Sequence, residues 1–507
     1  MKTTFALFTL LLASSGAFTQ SSTNLDLNNA NALINNNGTF FNNEQNGIAG
    51  YEIPKGSMAN AIYFMNVAAM GTDVNGQIRG AISDYSNSDF TPGPIATNYL
   101  TPGYLAGYQT SLWSINKSEI DDHIANWNTA GYVLPAAIAE WPGNGNVMNG
   151  EAIILAPFYD VNGDEFYDPT QGDYPIIRGD KAVFSILNDL NNAHVSGTEP
   201  IGIEVHLLFY QFASADSAVN NTTFINATVI NRGTQTLYNM HFGSFIDFDL
   251  GNYNDDYLGT SIPNNLAYVY NGDLMDENNS GRIGYGLYPP AVGVVTLNKP
   301  LYSHVSINNL NFLNTPTSYY NELNGINADG SSLLDNNGQP THYTYSSSGD
   351  TGWNEYTEMN PAGDRKSMIS FEPTTLFADG ILCFDMAVVY GRSTAGGFFD
   401  CVDSLVSVAE HIQNFYDYQE FACAQLVLGT EIMEQPTLVH YPNPATNNLT
   451  VSGMDYGNYR IIALDGKVVL TGTLNGAAID ISQLKSGYYV CVYSNDVFEQ
   501  QLPLIKE

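Results

Sequence analysis

The 507-residue sequence contains few charged residues and very few basic ones. Only 13% of its residues are charged, and 51 acids outnumber 16 lysines and arginines, so the formal net charge is −35. Such a surface repels nucleic-acid phosphates and anionic membranes, and it suits either the binding of divalent cations or simple solubility. We therefore expect no nucleic-acid partner.

Long apolar runs are also missing from the chain after its N-terminus. No later stretch reaches the roughly 18 apolar residues of a membrane-spanning helix, so we predict no transmembrane segment after signal cleavage. Residues 5–13 form a short apolar run that follows Lys2 and precedes small residues, which is the pattern of a secretory signal peptide. We predict that residues 1–19 are removed.

Cysteine is scarce, with only Cys383, Cys401, Cys423 and Cys491, and no CxxC or zinc-binding spacing occurs. Export permits disulfides. A predicted helix lies between Cys401 and Cys423 and, at about 1.5 Å of rise per residue, holds them far apart. We expect buried thiols, with one bridge from Cys383 to either of these two as the alternative.

Common catalytic signatures are absent as well. The eight histidines include no HExxH pair, and there is no G-x-S-x-G turn. Glu204 and His206 alternate on one predicted strand, and we interpret them as a structural pair. We predict no catalytic residue and consider an enzyme the less favoured class. A secreted hydrolase acting on extracellular polymers is the alternative function.

Strand-forming residues, in contrast, are abundant. The chain has 33 tyrosines and 25 phenylalanines, and many short apolar runs are separated by Gly, Asn, Asp and Pro. This pattern predicts an all-β fold with a large sandwich-like body over residues 51–429. Two short helices are predicted within it, one near Ser118 and one from Asp403.

The segments on either side of the body differ in composition. Residues 20–50 are rich in asparagine, which indicates short strands and turns or partial disorder. Residues 430–437 resemble a linker. Residues 438–507 have their own strand rhythm and predict a small immunoglobulin-like β-sandwich.

The stretch DVNGDEFYD is the first candidate metal site. It offers oxygen ligands at positions 1, 3, 5, 7 and 9 of a calcium-loop pattern: Asp160, Asn162, Asp164, the Phe166 carbonyl and Asp168. Glu165 replaces the glycine expected at position 6, so this is not an EF-hand. Asp173 and Asp180 are near enough to replace the missing acid at position 12. A turn held by Asx hydrogen bonds is the alternative.

A second acidic group follows the predicted strand SFIDFDL. Asp247 and Asp249 share one face of this strand, and the next loop can return Asp255 or Asp256 toward them. Carboxylates this close repel unless a cation, protons or solvent relieve them. We predict calcium here, whereas we expect a solvated loop at a third group: Asp273, Asp276 and Glu277. Calcium is the expected cofactor.

The C-terminal segment begins with a turn rather than with a reactive group. In Tyr441-Pro442-Asn443-Pro444 the two prolines cannot donate ladder hydrogen bonds, so they belong at a turn or a strand start. Asp465-Gly466 is a strong hairpin signal. Gly487-Tyr488 opens another alternating run, and Lys506 lies close to the end.

This order of features resembles the type A C-terminal sorting domain of the type IX secretion system. The resemblance implies passage across the inner membrane by a signal peptide, followed by export over the outer membrane with the secretion machinery as partner. Tails of this family are commonly removed, and the cargo is released or attached to cell-surface polysaccharide. The implied location is secreted or at the outer-membrane surface, reached through the periplasm.

Parts of the body, including WPGNGN and YGLYPPAVGV, resemble a block that recurs in uncharacterised cargo of the same system. That resemblance implies location but no activity. We expect a calcium-stabilised protein with a surface-structural, adhesive or glycan-binding role. Surface polysaccharide or another extracellular glycan is then the expected partner beyond the secretion machinery.

Overall fold

The computed structural model describes most of the chain, namely residues 21–43, 46–85, 88–98, 101–108, 110–190, 194–307, 313–347, 352–421, 423, 439–452, 457–463, 467–474, 478–494 and 499–507. The chain divides into two compact units, Met1–Leu426 and Val427–Glu507. The predicted signal peptide and the predicted linker lie outside the described residues.

The first unit is built mainly from strands. Its strands up to the middle of the body are β1 (Ser22–Leu25), β2 (Asn31–Asn35), β3 (Thr39–Phe40), β4 (Asn42–Asn43), β5 (Ile48–Ala49), β6 (Tyr51–Glu52), β7 (Asn60–Asn66), β8 (Ala68–Thr72), β9 (Ile78–Ile82), β10 (Thr91–Pro92), β11 (Trp113–Asn116), β12 (Phe158–Tyr159) and β13 (Tyr174–Pro175). The later ones are β14 (Lys181–Asn188), β15 (Ile203–Gln211), β16 (Thr223–Asn231), β17 (Leu237–Phe248), β18 (Asp256–Ser261), β19 (Leu266–Asn271), β20 (Met275–Asp276), β21 (Gly286–Leu287), β22 (Ala291–Thr296), β23 (Leu301–Ser306), β24 (Arg365–Phe371), β25 (Thr374–Leu376) and β26 (Ile381–Gly391).

Most of these strands form two large antiparallel sheets, and the pairs β4-β5, β12-β13 and β20-β21 form separate two-stranded sheets. The first has the order β1-β2-β3-β7-β17-β24-β23, with β6, β8, β9 and β25 paired alongside it. The second has the order β10-β14-β15-β16-β26-β22-β19-β18, with β11 paired to β14. The prediction of an all-β, sandwich-like body is confirmed.

The main core lies between the two sheets. Phe242 of β17 stacks on Phe384 of β26 with ring centroids 4.5 Å apart, and Phe40 meets Phe209 edge to face at 5.1 Å. The apolar residues of this layer are almost fully buried. Burial of this kind stabilises a fold by about 25 cal/mol per Å² of apolar surface.

The outer face of the second sheet is covered by a long helix. Val402, Leu405 and Ile412 face the sheet from this helix, and β15 and β16 are buried at every position. Burial on both faces explains why residues 207–210 of β15 are all apolar or aromatic, whereas Glu204 and His206 alternate with apolar residues before them.

The described helices are α1 (Pro102–Tyr108), α2 (Lys117–Asn126), α3 (Ala136–Ala139), α4 (Ser217–Asn220), α5 (Pro316–Leu323) and α6 (Asp400–Gln419). Both predicted helices are present, but α6 is longer than expected and others were missed. Helix α5 carries an ordinary start signal, since Thr315 caps it and Pro316 occupies its first turn. Asn116 and Glu119 form the capping box of α2.

The Asn-rich N-terminal segment supplies strands β1 to β5. Its asparagines serve as buried hydrogen-bonding groups: the Asn28 amide donates to the Thr222 carbonyl at 2.9 Å. Gln211 Oε1 accepts the backbone N–H groups of Leu27 and Asn28. Of the two interpretations of this segment, short strands with turns is the one observed.

The preferred expectation of buried thiols throughout is wrong for Cys383 and Cys423, and the alternative, one bridge from Cys383, is the arrangement observed. Cys383 and Cys423 form a disulfide, whereas Cys401 and Cys491 are buried free thiols. Helix α6 does separate Cys401 from Cys423, but it ends at Glu420 in a left-handed conformation. The chain thereby turns back, and Cys423 reaches Cys383 on β26.

The second unit is a small two-sheet sandwich. Its strands are β27 (Val439–Tyr441), β28 (Asn448–Ser452), β29 (Gly457–Ala463), β30 (Val468–Leu474), β31 (Ile479–Asp480), β32 (Gly487–Ser494) and β33 (Glu499–Lys506). The sheets β27-β28-β31 and β30-β29-β32-β33 enclose one apolar core that includes Leu449, Ile461 and Leu504.

Candidate metal sites and the C-terminal domain

The first candidate site is the Asp160 loop, residues 160–173, which joins β12 to β13. Asp160 organises its first turn by accepting the N–H groups of Gly163 at 2.6 Å and Glu165 at 2.7 Å. Glu165 has a left-handed φ of 63°, the conformation for which calcium loops use glycine at position 6. Glu165 therefore replaces the usual glycine without changing the backbone conformation at this position.

Asp173 closes the same loop from its far end. It is fully buried, and its two carboxylate oxygens accept the N–H groups of Val161 and Asp168, each at 2.8 Å. One oxygen of each of Asp160, Asp164 and Asp173 lies within 4.8 Å of the others. Three carboxylates at this spacing fit the oxygen coordination that calcium prefers.

The other predicted ligands of this loop have different surroundings. Asn162 donates to Asp164 and Gln171 through its amide nitrogen. Asp168 caps a short helical turn by binding Thr170 and Gln171 and is not in the converging group. The Phe166 side chain is exposed. The converging group therefore contains Asp173, one of the two acids suggested as replacements for the missing acid at position 12, and does not contain Asp168.

The second acidic group divides into two neighbouring arrangements. Asp247 lies on β17 directly across from Lys366 of β24. Lys366 Nζ is 3.3 Å from Asp247 Oδ1 and 2.5 Å from Asp364 Oδ2, while the Tyr85 hydroxyl donates to Asp247 at 2.6 Å. This Lys366 group already contains a cation, which the sequence analysis did not anticipate.

The second arrangement lies where the chain crosses from β17 of one sheet to β18 of the other. We call it the Asp256 cluster, and its members are Asp255, Asp256, Asn271 and Asp276. Asp256 accepts the N–H of Leu250 at 3.1 Å, and Asp276 accepts the N–H groups of Asn252 and Tyr285. Backbone donors therefore fix both carboxylates.

Burial and mutual repulsion disfavour the charged forms of this cluster. The Asp249 carboxylate converges instead with those of Asp247 and Asp364, and burial and the charge of Asp247 raise its pKa to about 8. Burial and the charge of Asp276 raise the pKa of Asp255 to about 6. Burial also raises the pKa of Asp256 well above its usual value. A divalent cation would relieve this repulsion.

Three oxygens of the Asp256 cluster support a cation more directly. Asp255 Oδ1, Asp256 Oδ1 and Asn271 Oδ1 are buried and have no hydrogen-bond partner among the described residues. A buried acceptor without a partner costs about 1–3 kcal/mol. A hard cation would satisfy such oxygens, and the donor set is entirely carboxylate and amide oxygen.

The sequence missed three of the residues that the fold brings to these sites. Asp276 belongs to the third group, which was expected to be solvated, yet its side chain is buried. Asn271 is the register partner of Asp256 on the neighbouring strand β19. Asp364 arrives from a distant loop before β24. The one sequence feature that could have indicated Asn271 is that polar residues stand at both ends of the β18–β19 hairpin, Asp256 at the start of β18 and Asn271 at the end of β19.

The start of the C-terminal unit is tied to its last strand. The Asn443 amide donates to the Pro503 carbonyl at 2.7 Å and accepts the N–H of Ile505 at 2.8 Å. Pro442 and Pro444 flank this asparagine, and Ala445 bridges in parallel to Lys506. The YPNP stretch therefore closes the sandwich between its first and last strands.

Other predicted residues of this unit are peripheral. Tyr441 and Tyr488 are exposed, Gly487 begins β32, and Lys506 is buried near the end of β33. Asp465 and Gly466 lie outside the described residues.

Residues 439–507 match the family model described as the secretion system C-terminal sorting domain. The protein is a cargo of the type IX secretion system. The resemblance predicted from the YPNP turn and the following strands is confirmed. The cargo is exported to the cell surface or released, and its tail interacts with the type IX secretion machinery.

Similarity to other known proteins is much lower than the match of the sorting domain. No curated protein matches the sequence. A solved polysaccharide lyase is similar over 70% of this chain and 39% of its own, at 8% identity and a TM-score of 0.20. A putative aldose 1-epimerase from Escherichia coli K12 is similar over 74% of this chain and 100% of its own, at 8% identity and a TM-score of 0.23.

This chain thus spans well under half of the lyase, 39% of its length. Similarities at these TM-scores carry no argument about the body. Within the described ranges, no helix combines the length and apolar character needed to cross a membrane.

Proposed function

We propose that this cargo acts outside the cell as a calcium-stabilised β-sandwich with a binding or adhesive role. The observation that carries the calcium assignment is the Asp256 cluster, in which buried carboxylate and amide oxygens have no partner among the described residues. The Asp160 loop supports a second calcium ion through its three converging carboxylates.

Calcium at these positions would stabilise the sandwich in different places. At the Asp256 cluster it would join the crossing between the two large sheets to the β18–β19 hairpin. At the Asp160 loop it would hold the outer layer beside β12 and β13. Both positions suit a protein that must remain folded after export, where no chaperone or energy source restores it.

Chelator-dependent melting tests the calcium proposal. The expected result is a lower melting temperature of the full chain in EDTA and its recovery with excess calcium, because calcium binds only the folded state. Asp256→Asn should reduce this response. Asp122→Asn is the matched control, since Asp122 is exposed on α2 and should leave the response intact. An EDTA-independent melting temperature would remove the proposal.

The surface beside the Asp160 loop supports glycan binding as the binding role. The rings of Tyr159 and Tyr174 stack at 5.0 Å with planes 11° apart. Tyr159 and Phe166 are each about half exposed, at 51% and 57%. Flat exposed aromatic faces next to carboxylates suit a sugar ring with its hydroxyl groups.

Binding to purified surface polysaccharide tests this finer assignment. Tyr159→Ala and Phe166→Ala should each weaken retention on the polysaccharide, whereas Tyr418→Ala, a matched change at an exposed tyrosine of α6, should not. Equal retention of all three variants would contradict the glycan assignment without affecting the calcium proposal.

A secreted hydrolase is the second candidate, and one observation favours it. Asp247, Asp249 and Asp364 each place one carboxylate oxygen within 4.8 Å of the others, and the pKa of Asp249 is raised to about 8. A protonated acid beside a second carboxylate is the pair that glycosidases use. Asp249→Asn should then abolish any release of reducing sugar from polysaccharides, and an inactive wild-type chain would eliminate this candidate.

A further inference from the structure

A cavity of about 330 Å³ lies at one end of β15 and β16, away from the acidic sites. Its wall includes two arginines, apolar groups and polar groups, contributed by Arg79, Ile95, Leu190, Thr234, Gln235 and Leu237 together with Arg232 and neighbouring backbone. This volume is at the lower end of the range for small-molecule sites.

The charge of this wall is opposite to that of the protein. The chain has 51 acids and only 16 lysines and arginines, yet two arginines and no acidic side chain are among the lining residues. Random placement of charges in so acidic a chain does not favour this arrangement. Each arginine is paired with one carboxylate outside the lining, so the wall offers an anion the remaining guanidinium donors.

Arg79 is held in place from behind the cavity. Its Nε donates to Asp73 Oδ2 at 3.2 Å. Asp73 also accepts the N–H groups of Asn75 and Gln77 in the β8–β9 turn. The turn thus fixes the carboxylate, and the carboxylate orients the guanidinium.

Arg232 is held in a similar way by Glu204 of β15. Its Nη2 donates to Glu204 Oε2 at 3.2 Å. Glu204 is 1% exposed and is also bound by His206 and by the N–H of Ile95. Burial opposes its ionisation, but the bond from His206 and nearby positive charge outweigh burial and lower the pKa of Glu204.

Both guanidinium groups retain unused donors. Each has five N–H groups, and only one hydrogen bond is made by each side chain within the described part of the chain. Arg79 and Arg232 remain 22% and 32% exposed. Their remaining donors are therefore available to a ligand in the cavity.

We propose that this cavity binds a small carboxylate-bearing molecule, with Arg79 and Arg232 as the anion-binding residues and Thr234 and Gln235 binding its polar body. Guanidinium groups match the two oxygens of a carboxylate in a planar, charge-assisted pair. The size of the cavity admits one sugar acid or one terminal amino acid. Glu204 and Asp73 are positioning residues that act through the arginines.

Calorimetric titration of the full chain tests this site with defined probes. Sodium glucuronate represents a sugar acid, N-acetylalanine a peptide terminus, and glucose a neutral molecule of similar size. We expect one of the two carboxylates to bind and glucose not to bind. Preference for glucuronate identifies a glycan source, and preference for N-acetylalanine identifies a peptide source. Both outcomes support the carboxylate site.

Charge-removing variants locate the binding. Arg79→Gln and Arg232→Gln should each weaken the carboxylate that binds by about tenfold or more, the loss expected for a charge-assisted pair. Lys117→Gln, which removes an equal charge from α2 outside the cavity, should have no effect. If Arg232→Gln fails to fold because Glu204 loses its partner, Arg79→Gln decides the outcome.

Three results would overturn the proposal: no heat from either carboxylate, binding of glucose as tight as that of glucuronate, or unchanged binding in a folded Arg79→Gln variant. The calcium and polysaccharide experiments use other residues. A failed carboxylate titration would therefore not contradict the proposed function. Failed calcium or polysaccharide experiments would not contradict carboxylate binding in this cavity.

Discussion

Asp256 of β18 and Asn271 of β19 lie directly opposite each other, and each has one side-chain oxygen that is buried without a hydrogen-bond partner among the described residues. Residues paired in this way point to the same face of a sheet. The two oxygens therefore lie on one face of the β18–β19 hairpin. Burial of acceptors in this arrangement is costly unless a cation binds them.

The calcium-free protein should become less stable as the pH rises. Asp249, with a pKa raised from 3.8 to about 8, binds a proton in the folded state between about pH 4 and pH 8 but not in the unfolded state. Stability is therefore present at the acidic end of this window and is lost toward its alkaline end. Thermal melting in EDTA across this range measures the loss.

The dependence of stability on pH over this range should be weaker when calcium is present. Calcium stabilises the ionised carboxylates, so the alkaline loss should diminish, and apparent calcium affinity should rise with pH as protons stop competing. A pH profile that is identical with EDTA and with calcium would contradict this expectation.

Asp173→Asn should destabilise the body even without calcium. Both oxygens of the buried Asp173 side chain accept backbone N–H groups, and the amide of asparagine replaces one acceptor by a donor. We expect a loss of about 1–3 kcal/mol in the free energy of unfolding. Urea unfolding measures it, with Asp121→Asn on exposed α2 as the control that should change little.

Asn443→Ala should weaken the sorting domain and reduce export. It removes two hydrogen bonds to β33, each worth about 0.5–1.5 kcal/mol net. Cell fractionation should show more protein retained in the periplasm. Asn458→Ala, at an exposed position of β29, is the matched control. A chain that lacks residues 438–507 should be retained completely in the periplasm and serves as the reference. Delivery of that truncated chain to the surface would refute the role of the tail.

Loss of the disulfide should destabilise the end of the body. The bridge closes a loop between residues 40 apart in sequence, for which the chain-entropy model gives about 3–4 kcal/mol. Cys383→Ser and Cys423→Ser should lower the urea midpoint equally, and reductant should lower the wild-type midpoint to the same value. A midpoint that does not respond to reductant would contradict this prediction.

Site residues that are neighbours in the sequence could be predicted from it, whereas those brought together by strand pairing could not. The alternation of oxygens in DVNGDEFYD identified Asp160 and Asp164, because ligands two residues apart in a tight turn face one point. Asn271 was not assigned to the second acidic group, because its approach to Asp256 depends on the register of the β18–β19 hairpin. Asp276 was not assigned to it either, because it lies on β20, which pairs with β21 outside that hairpin. Lys366 neutralises Asp247 only because β24 pairs with β17 at that position.

The sequence by itself determined the destination, the all-β class and the acidic surface of this protein. These properties reside in local motifs and in composition, which need no long-range contact to be recognised. Tertiary structure alone decided which acids meet, which cysteine Cys383 bonds, and that Arg79 and Arg232 share one cavity. The physical reason is that antiparallel pairing between strands far apart in the chain sets these contacts, and no local pattern encodes that register.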